Sequence, residues 1–163
     1  MSKPNIKMMR IDERLIHGQG QVWLSTLGVN LVIVANDKVS EDPIQQTLMK
    51  TVVSKSVGMR FFSIKHTCEI IHKAAPHQTI FLVCKTPEDA LRLVEGGVEV
   101  DEINIGNIHY QEGKEKITRS ISLGEEDKKA LKELNSKYGI KFNTRTTPFG
   151  NDGTKEVDIL ECL

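Results

Sequence analysis

The part of this 163-residue chain with the most chemistry in it is Arg10-Ile11-Asp12-Glu13-Arg14-Leu15-Ile16-His17-Gly18-Gln19-Gly20. A neutral imidazole can attack phosphorus, and His17 stands just ahead of a stretch with helical spacing. There, free backbone N–H groups and the helix dipole favour an anion. Arg10 and Arg14 are close enough in sequence to bond the equatorial oxygens of a phosphoryl group and steady its transfer. Gly18 and Gly20 let the backbone approach an oxyanion. For Asp12 two readings stand side by side: it orients the imidazole or holds Arg14, or it is a solvated carboxylate that ends a strand. Taken singly these are ordinary loop residues, but together they supply a nucleophile, a clamp and an anion hole.

Such a loop needs elements to position it. Ile6 to Ile11, Leu31 to Ala35, Met59 to Ile64, Thr79 to Cys84, Glu102 to Ile105 and Ile140 to Thr144 are apolar-rich runs with β-branched residues, and Lys116 to Ile121 is a candidate seventh. Between them, Gly18 to Leu27, Pro43 to Ser54, Thr67 to Ala75, Pro87 to Glu95 and Glu125 to Tyr138 carry apolar residues at helical spacing. Pro43 and Pro87 suit first-turn positions, Thr86 suits an N-cap and Gly139 a helix stop. Thr146 to Gly153 reads as a turn-rich loop before a short C-terminal helix. The alternation predicts one domain over 1–163, an α/β fold with an open, mostly parallel central sheet of about six to seven strands flanked by helices on both faces.

In such a sheet ligands gather at the carboxyl ends of the strands. That edge holds the His17 loop after the first strand, Asn36-Asp37-Lys38 after the second, Lys85-Thr86-Pro87 after the fourth and Gly106-Asn107-Ile108-His109 after the fifth. Gly18-x-Gly20 invites a dinucleotide reading, and Asp37 lies about 20 residues on, as that fingerprint asks. However, Trp23 stands where the third glycine belongs. His66, His72, His77 and His109 form no ligand pair on one helix face, and Cys68, Cys84 and Cys162 have no C-x-x-C spacing. Neither a metal nor a cofactor is expected. Lys+Arg and Asp+Glu balance at 22 each, which disfavours nucleic acid as a partner. The charged opening and the lack of a long apolar run predict a cytoplasmic protein whose membrane role, if any, comes through a partner.

Arg10-Ile11-Asp12-Glu13-Arg14-Leu15-Ile16-His17-Gly18-Gln19 resembles the signature of the IIB component of the mannose/fructose/sorbose family of the sugar phosphotransferase system. The likeness continues through Asn36-Asp37, Leu93-Val94-Glu95-Gly96-Gly97-Val98 and Asn104-Ile105-Gly106-Asn107. Val34-Ala35-Asn36-Asp37, Leu82-Val83-Cys84-Lys85-Thr86-Pro87 and Asn107-Ile108-His109-Tyr110 look most like its N-acetylgalactosamine branch. The resemblance implies a sheet of about seven strands and a phosphohistidine at His17, formed on Nδ1. It implies a IIA component as donor, and a sugar held by membrane IIC and IID components as acceptor, to which the chain attaches peripherally. It also implies a docking face around His17. Arg10, Arg14, Asp12 and the Lys85-Thr86 loop belong to that face, with Gly18, Gln19, Gly20, Asn36, Asp37 and Asn107 at the phosphate or partner contact. One departure is that the family commonly reads His-Gly-Gln-Val where Gly20 follows Gln19 here; an extra glycine costs helix stability yet widens the anion nest. The residues alone leave open a nucleotide-binding oxidoreductase-like domain and a non-catalytic anion-binding module, and the oligomeric state.

Overall fold

The computed structural model describes residues 3–18, 20–149 and 156–163. Gln19 and part of the Thr146 to Gly153 loop lie outside them. Eight strands and five α-helices follow the chain as β1 (Asn5–Ile11), α1 (Gly20–Leu27), β2 (Leu31–Ala35), α2 (Pro43–Lys50), β3 (Gly58–Phe62), α3 (Ile64–Ile70), β4 (Thr79–Cys84), α4 (Pro87–Glu95), β5 (Glu102–Ile105), β6 (Glu115–Lys116), β7 (Ser122–Leu123), α5 (Glu125–Tyr138) and β8 (Lys141–Asn143). Six strands form one sheet in the order β3-β2-β4-β1-β5-β8, and every pairing in it is parallel.

Side-chain alternation explains how this sheet is buried on both faces. In β2, Leu31, Ile33 and Ala35 join one core and Val32 the other; in β4, Ile80, Leu82 and Cys84 face one way and Phe81 and Val83 the other. The first core is completed by Ile64 of α3, Leu93 of α4 and Leu131 and Leu134 of α5. The second is completed by Trp23 and Leu24 of α1 and Met49 of α2. Helices α1 and α2 therefore cover one face, and α3, α4 and α5 the other.

The helix ends are built from the residues that favour them. Thr86 accepts from the Asp89 N–H at 3.0 Å with Pro87 just behind it, and Asp42 accepts from the Gln45 N–H ahead of Pro43. The Asp127 carboxylate reaches back to the Gly124 N–H at 2.9 Å, and Gly139 ends α5 at φ 70°. Several boundaries differ from expectation. α1 starts at Gly20 rather than Gly18, α2 stops at Lys50, and Ser63 caps α3 so that it begins at Ile64, inside the run expected to be strand. The run Lys116 to Ile121 is not a strand of the main sheet. Thr118 Oγ1 accepts from the N–H groups of Ser120 and Ile121, folding the chain back into the antiparallel β6–β7 hairpin, while Ile121 goes to the core. The hairpin docks on the loop after β5, since Ile108 donates to the Ser120 carbonyl and accepts from the Ser122 N–H.

Candidate active site

From β1 the chain proceeds toward β2 and β3 by way of α1 and α2, and then returns across the other face through α3, α4 and α5. β1 has β4 on one side and β5 on the other. The connections leaving β1 and its two neighbours thus diverge to opposite faces, which opens a crevice at their carboxyl ends. The loop after β1 is stitched into that crevice. The Asp12 N–H donates to the Cys84 carbonyl at the end of β4, and the Glu13 N–H to the Asn107 carbonyl beyond β5. Leu15 donates back to the Asp12 carbonyl, closing a turn, and sits at φ 57°, a left-handed conformation unusual for leucine. Its side chain and that of Ile16 are buried in the core beneath α1, so the strain is offset by burial and the chain turns His17 back over Asp12.

Asp12 is fully buried. Its Oδ2 accepts from His17 Nε2 at 3.0 Å, Asn107 Nδ2 at 3.0 Å, Arg10 Nη2 at 3.1 Å and Arg10 Nε at 3.3 Å; its Oδ1 accepts from the Arg14 N–H at 2.9 Å. Burial alone pushes this carboxyl up. The hydrogen bond from His17, the charge of Arg10 and the Arg14 N–H outweigh it, and the group lies below its usual value. An ionised carboxylate can only accept, so the proton between the two groups belongs to His17 Nε2. With the ring neutral, the lone pair is then on Nδ1, and 11% of the side chain is exposed.

Arg10 is 6% exposed and donates to the Asp12 carboxylate from within β1. It lies over the Trp23 ring, 5.6 Å from the centroid, and against Gly106, where a Cβ would come within 2.5 Å of Nη2. Its Nη1 donates to Asn104 Oδ1. Burial draws the guanidinium down from its usual value against the pull of Asp12; it remains charged.

The structure therefore brings His17, Asp12, Arg10 and Asn107 together, and leaves others of the expected residues at the rim or in structural roles. Arg14 and Lys85 are exposed, with no side-chain partner among the described residues. Asn36 Oδ1 accepts from the Val39 N–H; Asp37 accepts from the Ile64 N–H and pairs with Arg92 at 3.2 Å, so both shape the loop after β2. Thr86 is spent on its cap. Gly18 has nothing within 4 Å of the place a Cβ would occupy, and Gly20 only Ile16 at 3.9 Å. Sequence reasoning passed over Glu13, which holds His109 Nδ1 at 2.8 Å beside the site, and Asn104 and Gly106, which fix Arg10. A polar residue inside the apolar run Ile103-Asn104-Ile105 was the available signal for Asn104.

The class is that of an open parallel α/β protein with a carboxylate-held histidine at its topological switch point. The chain matches the family described as PTS system sorbose subfamily IIB component over residues 6–161 and belongs to it. It is therefore a IIB phosphotransferase component of a sugar phosphotransferase system. It is 51% identical over 132 residues to the N-acetylgalactosamine-specific phosphotransferase enzyme IIB component 2 of Escherichia coli (strain K12), covering 80% of this chain and 84% of that one. It is 32% identical to the sorbose-specific EIIB component of Klebsiella pneumoniae, covering 86% of each. The crystal structure of a PTS-dependent N-acetylgalactosamine IIB component from Streptococcus pyogenes superposes with a TM-score of 0.95 at 57% identity, covering all of both chains.

Proposed function

We propose that His17 is the phosphoryl carrier of this IIB component, that it accepts the group on Nδ1 from a phosphohistidine of a IIA component, and that N-acetylgalactosamine or a related hexosamine is the final acceptor. The observation that carries the first part is the His17 Nε2 to Asp12 Oδ2 bond at 3.0 Å, which leaves Nδ1 as the nucleophile. In the forward step the Nδ1 lone pair forms the new P–N bond while the donor's P–N bond breaks and returns its electron pair to the donor ring. His17 keeps its Nε2 proton throughout. The ring becomes cationic as the bond forms, and the buried Asp12 carboxylate stabilises that charge without moving. Arg14 at the rim meets the phosphoryl oxygens. Arg10 is a positioning residue that keeps Asp12 ionised and aimed.

The docking face is formed by the loops after β1, β2, β4 and β5, with Arg14 and Lys85 as its basic contacts to a phosphorylated partner. The mannose-specific EIIAB component of Escherichia coli, of which this chain covers 44% at 32% identity, supports IIA as the partner class. No helix of the described residues is long and apolar enough to cross a membrane; membership of the IIB family supports attachment through IIC and IID. The sugar assignment rests on the N-acetylgalactosamine-specific relatives.

The test is incubation with phosphoenolpyruvate, the general phosphotransferase proteins and the cognate IIA, followed by intact mass and site mapping. The expected result is one acid-labile, base-stable phosphate on His17, absent in His17→Ala. A mutant that still takes phosphate refutes the carrier assignment. Transfer onward to N-acetylgalactosamine in vesicles bearing IIC and IID, compared with mannose, tests the sugar.

A further inference from the structure

Arg10 Nη1 donates to Asn104 Oδ1 on β5, and from there a hydrogen-bonded rung continues to the sheet edge. Asn104 Nδ2 donates to Asn143 Oδ1 on β8 at 2.6 Å and to the Arg145 carbonyl at 3.0 Å, and Asn143 Nδ2 donates to Glu102 Oε1 at 3.0 Å. The strand register makes the alignment: Arg10 lies opposite Asn104, and Asn104 opposite Asn143. Residues in register on neighbouring parallel strands project from the same face, here the face that α1 covers with Trp23. Arg10, Asn104 and Asn143 are all buried.

The donor and acceptor roles along the rung admit one arrangement. A guanidinium only donates, so the Asn104 oxygen must face Arg10 and its amide hydrogens must point toward β8. Asn143 must then turn its oxygen to Asn104 and its hydrogens to Glu102. Two buried amides, Asn104 between Ile103 and Ile105 and Asn143 beside Phe142, are a poor choice for stability alone, since an apolar residue of similar volume carries no desolvation cost. What they provide is a fixed angle for the guanidinium. Its Nε and Nη2 are presented edge-on to Asp12, and Nη1 is the only corner left by which the group can be aimed.

We propose that Asn104 and Asn143 are positioning residues for the phosphoryl relay: the rung Asn143–Asn104–Arg10 sets Asp12, and Asp12 sets the tautomer of His17. The proposal rests on His17 as carrier and extends the functional unit to the edge strand β8. Neither asparagine touches the phosphoryl group.

The test uses the full chain with ¹⁵N-labelled histidine. Asn143→Leu is expected to lower the single-turnover rate of transfer from phospho-IIA about tenfold, to leave the KM for phospho-IIA unchanged, and to turn a single Nε2–H pattern of the His17 ring into a mixture of tautomers. Asn143→Asp combined with Glu102→Gln, which keeps the acceptor for Asn104 and supplies a donor where the Glu102 carboxylate stood, is expected to retain the wild-type ring pattern. In an Asp12→Asn background Asn143→Leu should have no further effect on the rate, because it acts through Asp12. Asn104→Leu should reproduce the loss more strongly; where it does not fold, Asn143→Leu and the milder Asn143→Ser decide. Folded Asn143 variants with the wild-type ring pattern and rate, or losses that add to Asp12→Asn, overturn the proposal while leaving His17 as carrier. Phosphate mapped away from His17 in the wild-type protein overturns the reading on which it rests.

Discussion

Adding one methyl group at Gly106 probes the buried support of the site without touching His17. A Cβ there would lie 2.5 Å from Arg10 Nη2, 2.6 Å from Cζ and 2.8 Å from Nε, where ordinary contact begins at 3.4 Å. The guanidinium must retreat by the best part of an ångström from the position that its bonds to Asp12 and Asn104 hold. Its bonds to Asp12 at 3.1 and 3.3 Å do not survive such a shift. Breaking a buried ion pair costs about 3 kcal/mol or more, a sizeable part of the roughly 5–15 kcal/mol that holds a domain together. With a urea slope of about 2 kcal/mol/M, Gly106→Ala should lower the unfolding midpoint by about 1.5 M. The folded variant should also transfer phosphate slowly, because Asp12 has lost one of the partners that lower its carboxyl and fix its angle. Gly20→Ala is the control: its Cβ meets only Ile16 at 3.9 Å, so it should raise stability by about 0.5–1 kcal/mol. A Gly106→Ala protein with the wild-type midpoint and wild-type transfer would refute the claim that Arg10 is held in one place.

Asp12→Asn should reduce transfer by about 10³–10⁴-fold in a single-turnover assay, since an amide can donate to Nε2 and trap the ring with its lone pair on the wrong nitrogen; a loss below tenfold would show that Asp12 does not set the tautomer. Arg14→Ala should slow transfer about 10²-fold while changing stability by less than about 0.5 kcal/mol. Arg14→Lys should recover part of the rate, because lysine lacks the planar fork; a wild-type rate for Arg14→Ala would mean that this side chain meets only solvent. Asp12 is held below its usual value of 3.8. Its contribution to stability is therefore complete above that value and is lost as pH falls from there through the lowered folded value. Urea titrations of wild type and Asp12→Asn should accordingly converge on acidification, and a gap that stays constant with pH would contradict the ionised, paired state.

Much of this was legible from local chemistry. Thr86-Pro87, Pro43 and Gly139 fixed helix ends because their own backbone limits do so, and the strands of the sheet read clearly because both faces are buried. Lys116 to Ile121 misled because Ile117, Thr118 and Ile121 suit a strand, whereas the Thr118 hydroxyl offers the backbone a local turn that no apolar pattern reveals. The residues around His17 were visible as a group, but the depth of Arg10 was not. Sequence proximity to His17 suggested a surface clamp, yet Arg10 lies within β1, where alternation sends its side chain into the α1 face of the sheet. Asn104 stands out as the polar residue between Ile103 and Ile105, but its partner Asn143 was beyond reach, since that pairing appears only once β5 and β8 lie side by side.

The buried pair Leu15 and Ile16, with Leu15 in its left-handed turn, leaves the histidine loop no slack. With Leu15 and Ile16 held in the core, the chain just ahead of His17 is expected to present the ring in one pose to donor and acceptor alike. Both partners must bring their reacting groups along the same line to the same Nδ1, and bulk on that line can belong to one of them at a time. With His17 as the proposed carrier, donor and acceptor use the same Nδ1 in turn, so the relay is expected to follow ping-pong exchange.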